Sequence, residues 1–225
     1  MRIWARGAAQ ALPIVLGYVP VGFAYGVLAE KAGLSIFNTL MMSVIVYAGS
    51  AQLIAVGLIS SGTSPLSLIF TTFIVNLRHM LMSASLSPYL KNMTKVEMAG
   101  FAYELTDETF AIHSTRFSKA ELEKRATFAI NITSQLSWIL GSFLGITAGQ
   151  LLSSVEPYAL DYALPAMFIA LLAMQVNNRK HLLVAIFAGG ASLTLYKIGF
   201  TQWNVILATS FAASVGVIIE KWIKK

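Results

Sequence analysis

The chain has 225 residues, of which 56% are hydrophobic and only 12% charged, with a formal net charge of +6. Soluble domains carry about 25% charged residues, so this balance excludes an ordinary soluble domain and predicts a membrane protein. With no cysteine, disulfides, thiolate metal sites and cysteine nucleophiles are excluded.

The basic residues sit at the ends of apolar runs and form no aromatic-interleaved face, so no nucleic-acid partner is expected. No metal or other cofactor is expected either. The apolar runs are near the ~20 residues that cross a ~30 Å hydrocarbon core. They predict an all-α polytopic membrane protein with about eight spans (seven or eight), and a single transmembrane transporter domain over residues 1–225.

The first run, Ala8 to Ala29, follows the basic start Met1–Arg6. It is too long for the apolar part of a secretory signal and lacks a clear cleavage site, so it reads as a span that stays. It contains Pro13, Gly17, Pro20, Gly22 and Gly26. Two readings stand: a kinked packing helix with a small-residue face, or a helix broken at Pro20 and Gly22 that exposes backbone to substrate. The second run, Ile36 to Ile59, places Tyr47-Ala48-Gly49-Ser50-Ala51-Gln52 near mid-depth, a thin spot with hydrogen-bonding side chains.

The third run, Leu66 to Leu86, holds Asn76, Arg78 and His79. Asn76 and His79 share a helix face, with Arg78 well round from it. The fourth run, Val96 to Thr115, is the least apolar and carries Glu104, Asp107 and Glu108, three of the ten acids of the chain. On one helix these carboxylates fit a single broad face; a surface or re-entrant helix with solvated carboxylates is the alternative. A charge at the bilayer centre costs about 3 kcal/mol on insertion scales and normally faces a bundle interior or a water-filled path. Runs three and four are therefore expected to line a transport path.

The fifth run, Ala126 to Leu152, has Asn131 and Gln135 on one face and a glycine row at Gly141, Gly145 and Gly149. The row predicts a packing face; the two amides either line the path or hydrogen-bond between helices. Tyr162–Val176, Leu182–Ile198 and Trp203–Ile219 complete the spans, and Lys221-Trp222-Ile223-Lys224-Lys225 reads as an interfacial anchor. With eight crossings and a cytoplasmic N-terminus, the inside set is Arg2, Arg6, Arg116, Lys119, Lys124, Arg125, Arg179, Lys180, Lys221, Lys224 and Lys225, against Lys31, Lys91 and Lys95 outside. This obeys the positive-inside bias and puts both termini in the cytoplasm. Glycine rows in runs one and five suggest a weak internal repeat, residues 8–95 and 126–200, joined by span 96–115 and parallel rather than inverted.

With these residues placed, the chain resembles the AzlC family, the large subunit of branched-chain amino acid exporters (AzlC/YgaZ-like). The strings that carry the resemblance are Gly17-Tyr18-Val19-Pro20-Val21-Gly22 with Gly26, Ala48-Gly49-Ser50-Ala51-Gln52, Asn76-Leu77-Arg78-His79 and Thr106-Asp107-Glu108-Thr109. The resemblance implies export of valine, leucine, isoleucine and analogues such as azaleucine from the bacterial cytoplasmic (inner) membrane. It also implies a separately encoded small AzlD-like membrane subunit.

No phosphate-cradling loop is present, so a gradient, most simply of protons, must drive such transport. The expected proton-coupling groups are Glu104, Asp107, Glu108 and His79. The expected substrate-binding groups are Gly49, Ser50, Gln52, Asn76, Arg78, Asn131 and Gln135, with Arg78 or helix ends near Gly49-Ser50 taking a carboxylate and a span-four carboxylate taking an ammonium. An Arg78 salt bridge to Asp107 or Glu108 with a purely structural role is the alternative. Two other classes are an intramembrane serine protease, using Ser50 with His79, His113 or His181, and a channel or accessory subunit.

Overall fold

The computed structural model describes residues 2–152, 156–176, 178–199 and 204–223, and every regular element among them is helical. The chain is an all-helical membrane protein. Asn177, Trp203, Lys224 and Lys225 of the expected span ends and anchor lie outside the described residues. Contacts divide the chain into two units, Met1–Met167 and Phe168–Lys225.

In the first unit, α1 (Arg2–Gln10) is a separate amphipathic helix. The membrane-length helix α2 (Leu12–Lys31) starts after it, with Pro13 in the first turn where a missing N–H does no harm. The first span thus begins at Leu12, not Ala8. It runs unbroken through Pro20, which overturns the expected helix break at Pro20 and Gly22. The physical reason lies in α8 (Lys124–Gly149), which packs along α2 at backbone distance. A Cβ on Gly22 would lie 3.0 Å from the Trp138 carbonyl oxygen, and one on Gly141 would lie 2.6 Å from the Val19 oxygen. Gly26 and Gly145 are tighter still, meeting the Ser142 and Phe23 carbonyls. Glycines on both partners let the helices approach where any side chain would clash.

A Gly145→Leu substitution should therefore abolish the folded protein. Thermal unfolding in detergent should show loss of the transition or a large fall in Tm, against little change for Gly189→Leu, which has open space around it.

The second and fourth spans are each two short helices rather than one. In the second, α3 (Ile36–Met41) passes through a π-helical turn (Met42–Val46) to Tyr47, whose φ of 42° lies in the left-handed region, and α4 (Gly49–Ser60) starts afresh. Buried Trp138 packs directly on Gly49 at this break, where a Cβ would meet its ring at 2.9 Å. Polar staples hold the break to α8. Trp138 Nε1 donates to Gln52 Oε1 at 3.1 Å, Gln52 Nε2 donates to Ser43 Oγ at 3.2 Å, and the Ser43 and Ser142 hydroxyls are 2.8 Å apart.

The third span, α5 (Pro65–Leu86), is capped by Ser64 and buries only Leu86. In the fourth, α6 (Lys95–Tyr103) ends at Glu104, and α7 (Asp107–Ser118) begins after Thr106, which forms a reciprocal capping box with Thr109. Glu104, Asp107 and Glu108 therefore do not share one helical face, contrary to expectation. By length and composition, α2, the segment Pro65–Tyr89 and α8 can each cross a bilayer.

The second unit pairs α10 (Arg179–Lys197) with α11 (Asn204–Ile223). The division falls within α9 (Ala163–Gln175), an apolar helix. These three helices fall where the last three apolar runs predict them.

Candidate functional site

The two breaks and α5 bring the intramembrane charges together. Arg78, from the middle of α5, places Nη1 2.8 Å from Asp107 Oδ2, and both side chains are largely buried. Its Nη2 donates to the Ser50 hydroxyl at the start of α4, and its Nε is buried without a partner. His79 lies within electrostatic reach of both Arg78 and Asp107. Neighbouring Asn76 has a buried Oδ1 with no partner. One side chain thus ties together three elements: the helix that bears it and the starts of the two interrupted ones.

The helix starts are electrically opposite. At α4, Ala48 occupies the cap position and makes no side-chain capping bond. The first-turn N–H groups of Gly49, Ser50 and Ala51 are therefore without a capping side chain, and together with the helix dipole they favour an anion. At α7, Thr106 supplies the cap, and the first turn carries Asp107 and Glu108. That end favours a cation. Glu108 Oε2 accepts a hydrogen bond from Tyr18 OH at 2.5 Å, and the same phenol oxygen lies 2.7 Å from Thr106 Oγ1. Tyr18 in turn packs edge-on against Tyr47 and Trp138, with ring centroids 6.5 and 5.5 Å away.

A third group sits behind these. Glu104 is buried with Oε2 unpaired, Tyr47 OH is buried and unpaired, and the Asn131 side chain lies within reach of Glu104 with its own Nδ2 buried and unpaired. Asn131 is wholly buried, and its Oδ1 is 2.7 Å from His113 Nε2.

The structure thus gathers Gly49, Ser50, Asn76, Arg78, His79, Asp107 and Glu108 at the breaks, with Glu104 and Asn131 adjoining. Gln52 and Gln135 are not available to a ligand in the way expected. The Gln52 amide is spent on Trp138 and Ser43, whereas Gln135 Nε2 donates to Tyr103 OH at 2.8 Å and to the Val44 carbonyl at 3.2 Å. Both staple the π-helical turn. Pro20 lies inside an unbroken helix, and Gly22 is a packing residue. The Ser50 hydroxyl is held by Arg78 and His113 by Asn131, so neither forms half of a Ser–His pair.

Tyr18 and Thr106 were missed as site residues, and His113 was named only as a base for Ser50. Tyr18 stands at the same four-residue spacing as Gly22 and Gly26, which places its phenol on the buried α2 face. The string Thr106-Asp107-Glu108-Thr109 has the spacing of a reciprocal helix cap, a signal of a new helix start within the run.

A profile of the AzlC protein family matches residues 13–152. The chain belongs to the AzlC family. The matched stretch holds every residue of the site just described and both helix breaks. Among relatives, the inner membrane protein YgaZ of Escherichia coli is 31% identical over 201 residues, covering 86% of this chain and 82% of its own length. An uncharacterized membrane protein of Archaeoglobus fulgidus is 31% identical over 222 residues, 98% of this chain and 95% of its own. The branched-chain amino acid transport protein AzlC of Bacillus subtilis is 26% identical over 229 residues, 100% of this chain and 89% of its own. No solved structure matches.

Proposed function

We propose that the protein is a secondary active exporter of branched-chain, neutral aliphatic amino acids such as valine, leucine and isoleucine, in the bacterial cytoplasmic membrane. The Bacillus subtilis relative, named a branched-chain amino acid transport protein, and the family membership support transport. The observation that carries the reading is the pairing of opposite ends. An uncapped helix start beside Arg78 faces an acidic helix start at Asp107 and Glu108. Interrupted helices whose ends meet substrate charges are a recurrent transporter device.

A zwitterion fits this pair. Its carboxylate takes the Arg78 guanidinium and the N–H groups of Gly49 and Ser50. Its ammonium takes Glu108, beside the aromatic faces of Tyr18 and Tyr47. The aliphatic side chain needs only apolar wall. Asp107 pairs with Arg78; an arriving carboxylate displaces it, so one guanidinium serves as lock and as ligand. Asp107→Asn removes the competitor, and it is expected to lower KM and the maximal rate together, as release of a carboxylate held by an uncontested Arg78 slows.

The full reading has eight spans with both termini cytoplasmic, and a small AzlD-like membrane subunit as partner. It is tested in inside-out vesicles containing the full chain, alone and with that partner, by following labelled valine. In such vesicles export is uptake into an acidified lumen. Accumulation that needs the proton gradient supports the proposal; uptake without saturation or coupling indicates a channel, and none with the partner present refutes transport.

A further inference from the structure

Glu104 differs from the other three intramembrane groups of the site. Arg78, Asp107 and Glu108 each have a bonded partner, whereas Glu104 is 8% exposed and keeps Oε2 unpaired. A carboxylate buried this far without a cation is strongly disfavoured, and the neutral acid is the form such a place tolerates.

The groups around it are mostly uncharged. Tyr47 faces it from the break before α4, Asn131 faces it from α8, and Tyr47 in turn faces Tyr18, Tyr103 and Glu108. No arginine or lysine among the described residues pairs with it.

Asn131 is held in one orientation. His113, itself wholly buried, bonds Asn131 Oδ1 through Nε2, and its ring stacks on Phe117 at 5.3 Å and leans on Phe101 at 5.2 Å. Because Oδ1 can only accept, Nε2 carries the hydrogen. The amide Nδ2 is left to point elsewhere, and it has no full hydrogen bond of its own, although the Asn131 side chain lies within reach of Glu104. The other charged group beside His113 is Arg116, whose Nη1 reaches Thr127 at 3.4 Å. Asn131 Nδ2 and Glu104 Oε2 are thus both buried without a partner, on side chains within reach of each other, with a fixed histidine behind the amide.

We infer that Glu104 carries the coupling proton of the transport cycle, and that the His113–Asn131 pair positions it without touching substrate. This rests on the transport reading and separates the proton from the substrate site at Arg78 and Glu108. The cycle balances simply. Glu104 takes one proton from water on the outer side to become the neutral acid. After reorientation it releases that proton to water on the inner side, and the carboxylate so formed is met by the Asn131 N–H. No other bond is made or broken.

The test separates exchange from accumulation in vesicles bearing the full chain. Valine-for-valine exchange at equal pH needs the substrate site alone; accumulation against a gradient needs the proton as well. Glu104→Gln, a permanently neutral mimic, is expected to retain exchange within about 3-fold and to lose proton-driven accumulation by at least 10-fold. His113→Phe is expected to show the same split in weaker form, and His113→Gln, which keeps a donor for Asn131 Oδ1, to regain coupling. A merely structural histidine would lower exchange and accumulation together. Glu104→Asp guards against a variant that fails to insert, since it keeps the acid and should keep measurable coupling. The inference is overturned if Glu104→Gln still accumulates valine, or if it loses exchange while present in the membrane at the parent's level. It is equally overturned if Glu104→Asp is uncoupled while exchanging normally. A parent that neither exchanges nor accumulates valine sinks the transport reading itself.

Discussion

Replacing Arg78 with Gln is expected to reduce transport by about 100-fold or more, with the protein still present in the membrane. Two losses combine. The substrate carboxylate loses a charge-assisted bidentate partner, worth roughly 1.5–3 kcal/mol. In addition, Asp107 is left buried beside a neutral amide, and breaking one side of a buried pair costs about 3–5 kcal/mol. The double variant Arg78→Gln with Asp107→Asn sorts these terms. It removes the unpaired charge, so stability should return towards the parent by thermal unfolding, while transport stays low because the carboxylate site is gone. Normal transport in the double variant would mean that the pair only braces α5 against α7. Lys at position 78 should restore little, since a point charge cannot hold Asp107 and Ser50 at once as the fork does.

The second large effect is expected at Glu108. Glu108→Gln removes the negative charge that meets the ammonium but keeps an acceptor for the Tyr18 phenol, so the fold should survive. The apparent KM for valine should rise about 10- to 100-fold, with a smaller change in maximal rate, as for an interaction made with bound substrate throughout. Tyr18→Phe should give a milder version, a few-fold in KM, because it frees the Glu108 carboxylate without removing it. A variant in which the maximal rate collapses and KM holds would place Glu108 in the conformational step instead. Measured with the exchange protocol, the same pair also tells the substrate carboxylate from the coupling one at Glu104.

The membrane class, the two glycine packing faces and the polar strings of the site were legible from residue type alone. Charge in an apolar run is scarce enough to stand out, and glycines at four-residue spacing mark a packing face; that the two faces meet each other was not legible, and they read instead as copies of a repeat. The helix breaks were not legible. Apolar periodicity reads straight across Tyr47-Ala48, since neither is a breaker; what holds the break is the Trp138 ring on Gly49 and the hydrogen bonds of Gln52 and Ser43, all tertiary. Glu104, Asp107 and Glu108 read as one face because the spacing rule assumes a continuous helix, whereas one helix ends at Tyr103 and the next starts at Asp107. The opposite error occurred at Pro20. A proline suggested a break, but close packing on α8 holds α2 together around it. Gln52 and Gln135 showed the right chemistry for a ligand and were claimed by the scaffold. His113 was considered only as a base for Ser50, because its partner, Asn131, comes from another helix.

Two oppositely charged helix starts should recognise a zwitterion and reject either half of it. This is tested most directly by equilibrium binding to the purified full chain in detergent or nanodiscs, comparing valine with isobutylamine, which lacks the carboxylate, and isovalerate, which lacks the ammonium. Each analogue should bind about 100-fold more weakly than valine, and Arg78→Gln should erase the gap between valine and isobutylamine while leaving the gap to isovalerate. Equal binding of either analogue by the parent protein would contradict the account, because one of the two helix starts would then have no part in recognition.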